Sequence, residues 1–236
     1  MSDHLLFPIL DERAAGGLGG RWYGVYPALV TDIADPDGQG RVKIMLPWSP
    51  DSGSERYDTW ARMAMTMAGN NRGSWFLPEV DDEVLVAFEG GDARRPYILG
   101  MLWNGKDKPH ESAEKKNNIK SIRSRNGVKL TLDDSDGQEK FIVETPGGQK
   151  ITLKDGPGVV EIMDSNGNSA KFESSGVTFN TSATFTINAS TLSITAGSVS
   201  VSAGTSTFSG LVIANGAVQT PSVIGQTYTP GAGNIW

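Results

Sequence analysis

Hydrophobic residues come in short runs through the first hundred positions: WYGVYPALVTDI (22–33), RVKIMLPW (41–48), EVLVAF (83–88) and YILGMLW (97–103). Turn-forming clusters separate them, namely DPDGQG (35–40), SPDSGS (49–54) and EGGDARRP (89–96). Pro27, Pro36, Pro47 and Pro50 leave no long helical window. Runs of about five to eight residues punctuated in this way predict strands that close into a small, partly open β-barrel or a sandwich. MAMTMAG (63–69) fits a helical turn or a loop, and the opening stretch ending AAGGLGG reads as an extended arm.

Beyond Lys115 the pattern becomes periodic. Glycines fall at 127, 137, 148, 158, 167 and 176, in steps of 10, 11, 10, 9 and 9 residues. Each block is a strand and a turn, with alternation such as Lys129-Leu130-Thr131-Leu132 that gives the strand one apolar face. A short fixed period predicts a β-solenoid or β-helix rather than a compact fold. From Thr184 the period tightens to seven: TFTINAS (184–190), TLSITAG (191–197) and SVSVSAG (198–204) align. Phe185 and Ile187 correspond to Leu192 and Ile194, then to Val199 and Val201, and TSTFSG (205–210) is a degenerate last copy.

Ser and Thr supply 16 of the 34 residues from Val177 to Gly210, a composition shared with disordered or glycosylated stalks. Here no proline intervenes before Pro221, the apolar positions recur in register, and many of them are β-branched, so strands are predicted. A lone chain of this kind would bury too little area to offset backbone ordering, roughly 1–2 kcal/mol per residue. It would also expose unpaired edges. Several identical chains around one axis remove both difficulties, with Phe185, Ile187, Leu192, Ile194, Val199 and Val201 as the candidate core between them. The tail LVIANGAVQTPSVIGQTYTPGAGNIW (211–236) breaks the repeat and reads as a cap, with Gln219, Asn234 and Trp236 as candidate docking residues.

Charge divides the chain further. Residues 1–110 hold 11 Lys or Arg against 16 Asp or Glu, residues 111–173 hold 10 against 11, and the last 63 residues hold no Lys, Arg, Asp, Glu or His. The net charge of −6 argues against a nucleic-acid partner. With no cysteine and only His4 and His110, thiol chemistry, Ser-His-Asp triads and histidine-rich metal sites are essentially excluded. No apolar run is long enough to span a membrane as a helix, and MSDHLLFPIL lacks the basic start of a secretory signal, so synthesis in the cytoplasm is expected.

The remaining candidates read as structural. Asp35 and Asp37 alternate as in a calcium loop but lack its terminal glutamate, so a tight turn is expected. Asp81, Asp82 and Glu83 sit where neighbours point to opposite faces, which suits a solvated turn better than paired catalytic carboxylates. Asp155, Glu161 and Asp164 are the carboxylates a glycan-cleaving β-helix would need, yet two of them fall in turns. Trp22, Trp48, Trp60, Trp75 and Trp103 are expected in the core or in subunit contacts rather than stacking on nucleobases. The run KKNNIKSIRSRNGVK (115–129), with six basic residues and no acidic one, reads as a solvated linker or as a docking surface for an acidic partner.

Taken together, residues 22–108 resemble the phage baseplate assembly protein V family, the central spike of contractile tails, and are similar to type VI secretion spikes. The most specific stretch is LPEVDDEVLVAFEGGDARRPYILG, supported by WYGVYPALVTDIADPDGQGRVKIMLPW and WARMAMTMAG. IRSRNGVKLTLDDSDGQEKFIVETPGGQKITLKDG resembles the passage from barrel to needle. The resemblance implies an all-β chain: an arm (1–20), an OB-type barrel (21–108), a linker (109–120), a triple-stranded β-helix (121–210) and a cap or tip (211–236). It further implies a homotrimer that pierces a target envelope on sheath contraction and crosses its membrane transiently, seated in the baseplate of a virion tail or related injection particle. Some spikes of this family bear an iron-binding His-x-His motif at the tip; this chain departs from that, with no His beyond His110. No metal, cofactor or catalytic residue is therefore expected, while a separate hub protein and a PAAR-type tip protein docked on the C-terminal end are. A trimeric fibre or adhesin that binds a surface receptor or glycan is the alternative.

Overall fold

The computed structural model describes residues 21–47 and 57–226. Trp48, Asn234 and Trp236, and the arm 1–20, therefore lie outside the described residues. Every regular element among those described is a strand, apart from one 3-10 turn at Glu89–Gly91. Residues up to Ala183 and residues from Thr184 onward form two separate units.

The first unit begins with a closed five-stranded barrel, as the resemblance implies, and not the partly open one that the runs alone suggest. Its strands are β1 (Val25–Asp32), β2 (Val42–Met45), β3 (Asp58–Met63), β6 (Glu83–Phe88) and β7 (Pro96–Leu102), closing in the order β1-β2-β3-β7-β6. All pairs are antiparallel except β3 with β7. Alternate residues point inward: Ala28 and Val30, Val42, Ile44 and Leu46, Ala61, Val84, Val86 and Phe88, and Ile98 make one buried cluster. Each large aliphatic member contributes about 1.5–3 kcal/mol by leaving water. One end of the cluster is aromatic. Trp22 lies 5.0 Å from Phe88 edge-to-face and 5.2 Å from Tyr57, centroid to centroid. The Tyr57 hydroxyl donates to the Ala93 carbonyl, and burial, aided by the Asp92 carboxylate, pushes it up to about 12.

Strand β3 was not visible in the pattern of runs. Its inward positions are the small or polar Thr59 and Ala61 together with Met63, while Trp60 faces outward under the Arg41 guanidinium, 5.8 Å from the ring centroid. MAMTMAG contains no helix. It leads into a short hairpin, β4 (Ala68–Gly69) with β5 (Arg72–Gly73). Gly73 is required there: its φ is +154°, and a Cβ would lie 2.7 Å from the Met67 carbonyl oxygen.

The DPDGQG segment is a turn, and Asp35 organises it. Its carboxylate, 4% exposed, accepts from the backbone N–H groups of Asp37, Gln39 and Arg41 and from the Arg41 guanidinium at 2.6 Å. The Arg41 side chain is the main reason that this carboxyl is held well below the usual carboxylate range. A depressed carboxyl stabilises the fold fully above its unfolded value, near pH 3.9, and loses that contribution as pH falls toward the folded value. Asp35→Asn is therefore expected to melt several degrees below the parent at neutral pH, followed by tryptophan fluorescence. The gap should close as the solution is made strongly acid.

The rest of the first unit is a meander. Strands β8 (Ile119–Arg123), β9 (Lys129–Asp133), β10 (Lys140–Glu144), β11 (Lys150–Lys154), β12 (Val159–Met163), β13 (Ser169–Glu173) and β14 (Gly176–Asn180) pair in sequence order, each antiparallel to the next. The ten-residue period is thus delivered by chain reversal, not by solenoid coils within one chain. Positive φ at Gly127, Gly137, Gly148 and Gly167 makes the reversals possible. The basic run 115–129 is built into this sheet, since β8 occupies its centre.

The second unit forms no strand among its described residues, 184–226. Its sequence repeat survives in the backbone as bends at Ser190, Gly197 and Gly204, seven residues apart. Strands were expected here, but a strand needs a ladder partner, and this segment supplies none to itself.

Candidate assembly surface

The registers of the meander align its side chains into rows. Leu132, Phe141, Leu153, Val160, Phe172 and Val177 stand opposite one another across successive strands, and the row ends at Lys120 on β8. Ile122, Leu130, Val143, Ile151, Ile162, Ala170 and Phe179 form a second row two residues away. Directly opposed residues and their i+2 neighbours share a face, so both rows lie on one side of the sheet. The other side carries Ser121, Thr131, Thr152, Glu161, Lys171 and Thr178 along its middle, with Ile142 among them and Ile119, Val159 and Met163 at strand ends.

Burial is inverted relative to a soluble sheet. On β11, Ile151 and Leu153 are exposed (41% and 44%) while Lys150, Thr152 and Lys154 are only partly so. Thr131, on the polar side, is buried. Strands of this sheet contact mainly their own neighbours, so the apolar side stays open. A contiguous patch of this kind marks an interface. Eleven large side chains, each roughly half exposed, hold about 10 kcal/mol per chain in burial still to be gained. Ordering and association costs of roughly 4–15 kcal/mol can be met from such a face.

The polar side is fixed by charge pairs. Lys140 lies 3.4 Å from its cross-strand partner Asp133, and Lys171 lies 2.6 Å from Glu173. Glu111, from the segment before β8, sits 2.6 Å from Lys129 and accepts from the Ser121 hydroxyl; both hold its carboxyl below the usual range, Lys129 foremost. The same Ser121 hydroxyl lies 2.9 Å from His110 Nε2, beside a cavity of about 600 Å³. Sequence reasoning did not bring these three together, because eleven residues separate His110 from Ser121. They are not a catalytic relay, since Glu111 contacts the serine rather than the far nitrogen of the imidazole. The group clamps the incoming segment to the sheet.

The other carboxylate candidates do not converge. Asp81 has φ +75° in the turn before β6, Asp82 accepts the Glu79 N–H at 2.8 Å, and Glu83 accepts from Asn104 at 2.9 Å. Asp155 and Asp164 lie in turns at opposite edges of the sheet, and Glu161 stands mid-strand across from Lys171. Among the described residues no group of three or more His, Asp or Glu could hold a metal ion. Of the tryptophans, Trp22 packs on the barrel core and Trp60 is half-buried, whereas Trp75 and Trp103 are 71% and 69% exposed. Phe185, Ile187, Leu192, Ile194, Val199 and Val201 are all exposed in the chain taken singly, as is Gln219.

The face makes a paired prediction. Ile151 and Thr152 are adjacent but point to opposite sides. Ile151→Glu should abolish self-association, because a charge would be buried unpaired, while Thr152→Glu should leave it intact. Sedimentation of the two variants beside the parent reads the difference.

Comparison with known proteins accords with this geometry. Residues 26–103 match the type VI secretion system/phage-baseplate injector OB domain, and residues 140–225 match the phage baseplate V C-terminal trimerisation domain. The chain is similar to the type VI secretion system spike protein VgrG1b of Pseudomonas aeruginosa, 30% identical over 127 residues, which is 50% of this chain and 17% of that protein. It is similar also to spike protein VgrG3 of Vibrio cholerae, 34% identical over 84 residues, 32% of this chain and 8% of that protein. The actin cross-linking toxin VgrG1 of Vibrio cholerae is 32% identical over 89 residues, 34% of this chain and 8% of its own. This chain thus spans less than a fifth of these relatives.

Proposed function

This chain belongs to the phage baseplate V family of injection-system spikes, and we propose that three copies form a piercing spike whose work is mechanical rather than chemical. The apolar face of the β8–β14 meander is the observation that carries this reading. Three such faces turned toward a common axis bury one another and leave the charged sides to water. The trimerisation-domain match over residues 140–225 supports the same arrangement. The seven-residue repeats would supply strands to one another across chains, with Phe185, Ile187, Leu192, Ile194, Val199 and Val201 as the core.

In this reading the divisions are an arm (1–20), the barrel (21–108), a connection (109–120), the intertwined β-helix (121–210) and a tip (211–236). The barrels would seat in a separate hub protein of a tail baseplate and nucleate its assembly. A PAAR-type tip protein would dock at the C-terminal end, through Gln219, Asn234 and Trp236. Sheath contraction would drive the spike through the target envelope.

The absence of charge from residues 174–236 fits passage through hydrocarbon, where each ionised side chain costs roughly 3 kcal/mol at the centre. Light scattering of the purified protein should give three times 25.2 kDa, and an unheated SDS gel should retain the trimer. A monomer with a protease-sensitive C-terminal third would overturn the spike reading. Thr186→Asp and Ser200→Lys, at outward hydroxyl positions of the repeat, should keep the trimer but reduce infection or killing. Undiminished activity would remove the link between composition and penetration.

A further inference from the structure

The two lateral edges of the meander carry opposite charge. Antiparallel pairing in sequence order puts the turns β8–β9, β10–β11 and β12–β13 on one edge and the turns β9–β10, β11–β12 and β13–β14 on the other. Turns on the first edge stack closely: a Cβ on Gly127 would stand 3.1 Å from Pro146, and one on Gly148 would stand 3.2 Å from Ser165. On the second, Gln138 donates to the Gly156 carbonyl of the next turn. Counting turns and the strand ends that flank them, the first edge holds four basic and two acidic residues, and the second holds six acidic and two basic.

Some of this charge is answered within the chain. Arg125 pairs with Glu79 of the barrel at 2.8 Å, Lys129 with Glu111, Lys120 with Asp134, and Lys140 with Asp133. Arg123 and Lys150 on the basic edge make no ion pair among the described residues, nor do Asp136, Glu139 and Asp155 on the acidic edge. Neutral complementarity inside one chain would leave nothing for a neighbour. Here the second edge keeps a negative surplus, Asp136, Glu139 and Asp155 against Lys154, and the first edge keeps Arg123 and Lys150 beside Glu144 and Asp164.

We propose that the basic edge of one chain docks on the acidic edge of the next copy, around a closed ring, and so sets the relative direction of the chains. The proposal rests on the trimer reading and deepens it. When apolar faces meet, copies running the same way bring unlike edges together. Turning one copy end over end brings two acidic edges together, which is repulsive. The edge charges therefore select a head-to-tail, cyclic contact over an antiparallel one.

The test reverses each edge in the full chain. Arg123→Glu with Lys150→Glu makes the first edge acidic, and Asp136→Lys, Glu139→Lys and Asp155→Lys make the second basic. Each set alone should raise the protein concentration needed for the trimer by about tenfold at low salt, with the penalty shrinking at high salt. Both sets in one chain restore complementarity and should restore assembly. That rescue separates edge pairing from a folding defect, and near-ultraviolet circular dichroism of the barrel aromatics checks folding directly. Single-edge reversals that assemble like the parent, or a double reversal that is not rescued, overturn the edge pairing and leave the trimer standing. A parent that is itself monomeric overturns the trimer reading and this inference with it.

Discussion

A one-layer sheet with a continuous apolar side cannot satisfy itself, and the rest of this molecule follows from that constraint. The barrel meets the same demand internally: five strands close, Ile44, Val84, Val86 and Ile98 meet in the middle, and no edge remains. The meander cannot close, because each glycine turn sends the chain straight back beside the strand it has just left. Its two apolar rows face outward from the chain, and covering them requires other molecules. Apart from Lys120, the charged residues of the same strands lie on the opposite side, where cross-strand pairs such as Lys140 with Asp133 hold them.

Dependence on neighbours deepens along the sequence. Barrel residues have both their hydrogen bonds and their burial within the chain. Meander residues have their ladders but not the burial of their apolar side. Residues 184–226 have neither a strand ladder nor buried side chains when taken singly. At roughly 1–2 kcal/mol of ordering cost per residue, the last group can be held in strands only where ladders and burial arrive together from partner chains. Folding in each chain and ordering between chains are therefore separate events, with the barrel capable of preceding assembly and the repeats bound to it.

What could be read from the sequence follows the same division. Strands β2 and β6 of the barrel were legible because Val42-Ile44-Leu46 and Val84-Val86-Phe88 alternate cleanly. Strand β3 was not, since its inward Thr59 and Ala61 are small or polar and its largest residue, Trp60, points out. Strand β8 hid inside a basic run because only Ile119 and Ile122 mark it. The glycine period announced the meander strands, but not their alignment into rows: steps of nine, ten and eleven residues gave no register, and the turns absorb the difference. The clamp of His110, Ser121 and Glu111 was beyond reach for a related reason, as it depends on a loop returning over the sheet.

Strength and sense of assembly come from different forces. Burial of Phe141, Ile151, Leu153 and Ile162 is large but has no preferred direction, so alone it would accept a neighbour in either orientation. Individual surface ion pairs are worth little, typically under about 1 kcal/mol. Arranged along two edges of unlike charge balance, they discriminate between orientations even though they add little to the total. A sheet that drew its cohesion from charge would loosen with salt, and one that relied on apolar area alone would tolerate misassembly. Placing the apolar rows at the centre of each strand and the charges at the turns assigns each force to the task it performs well.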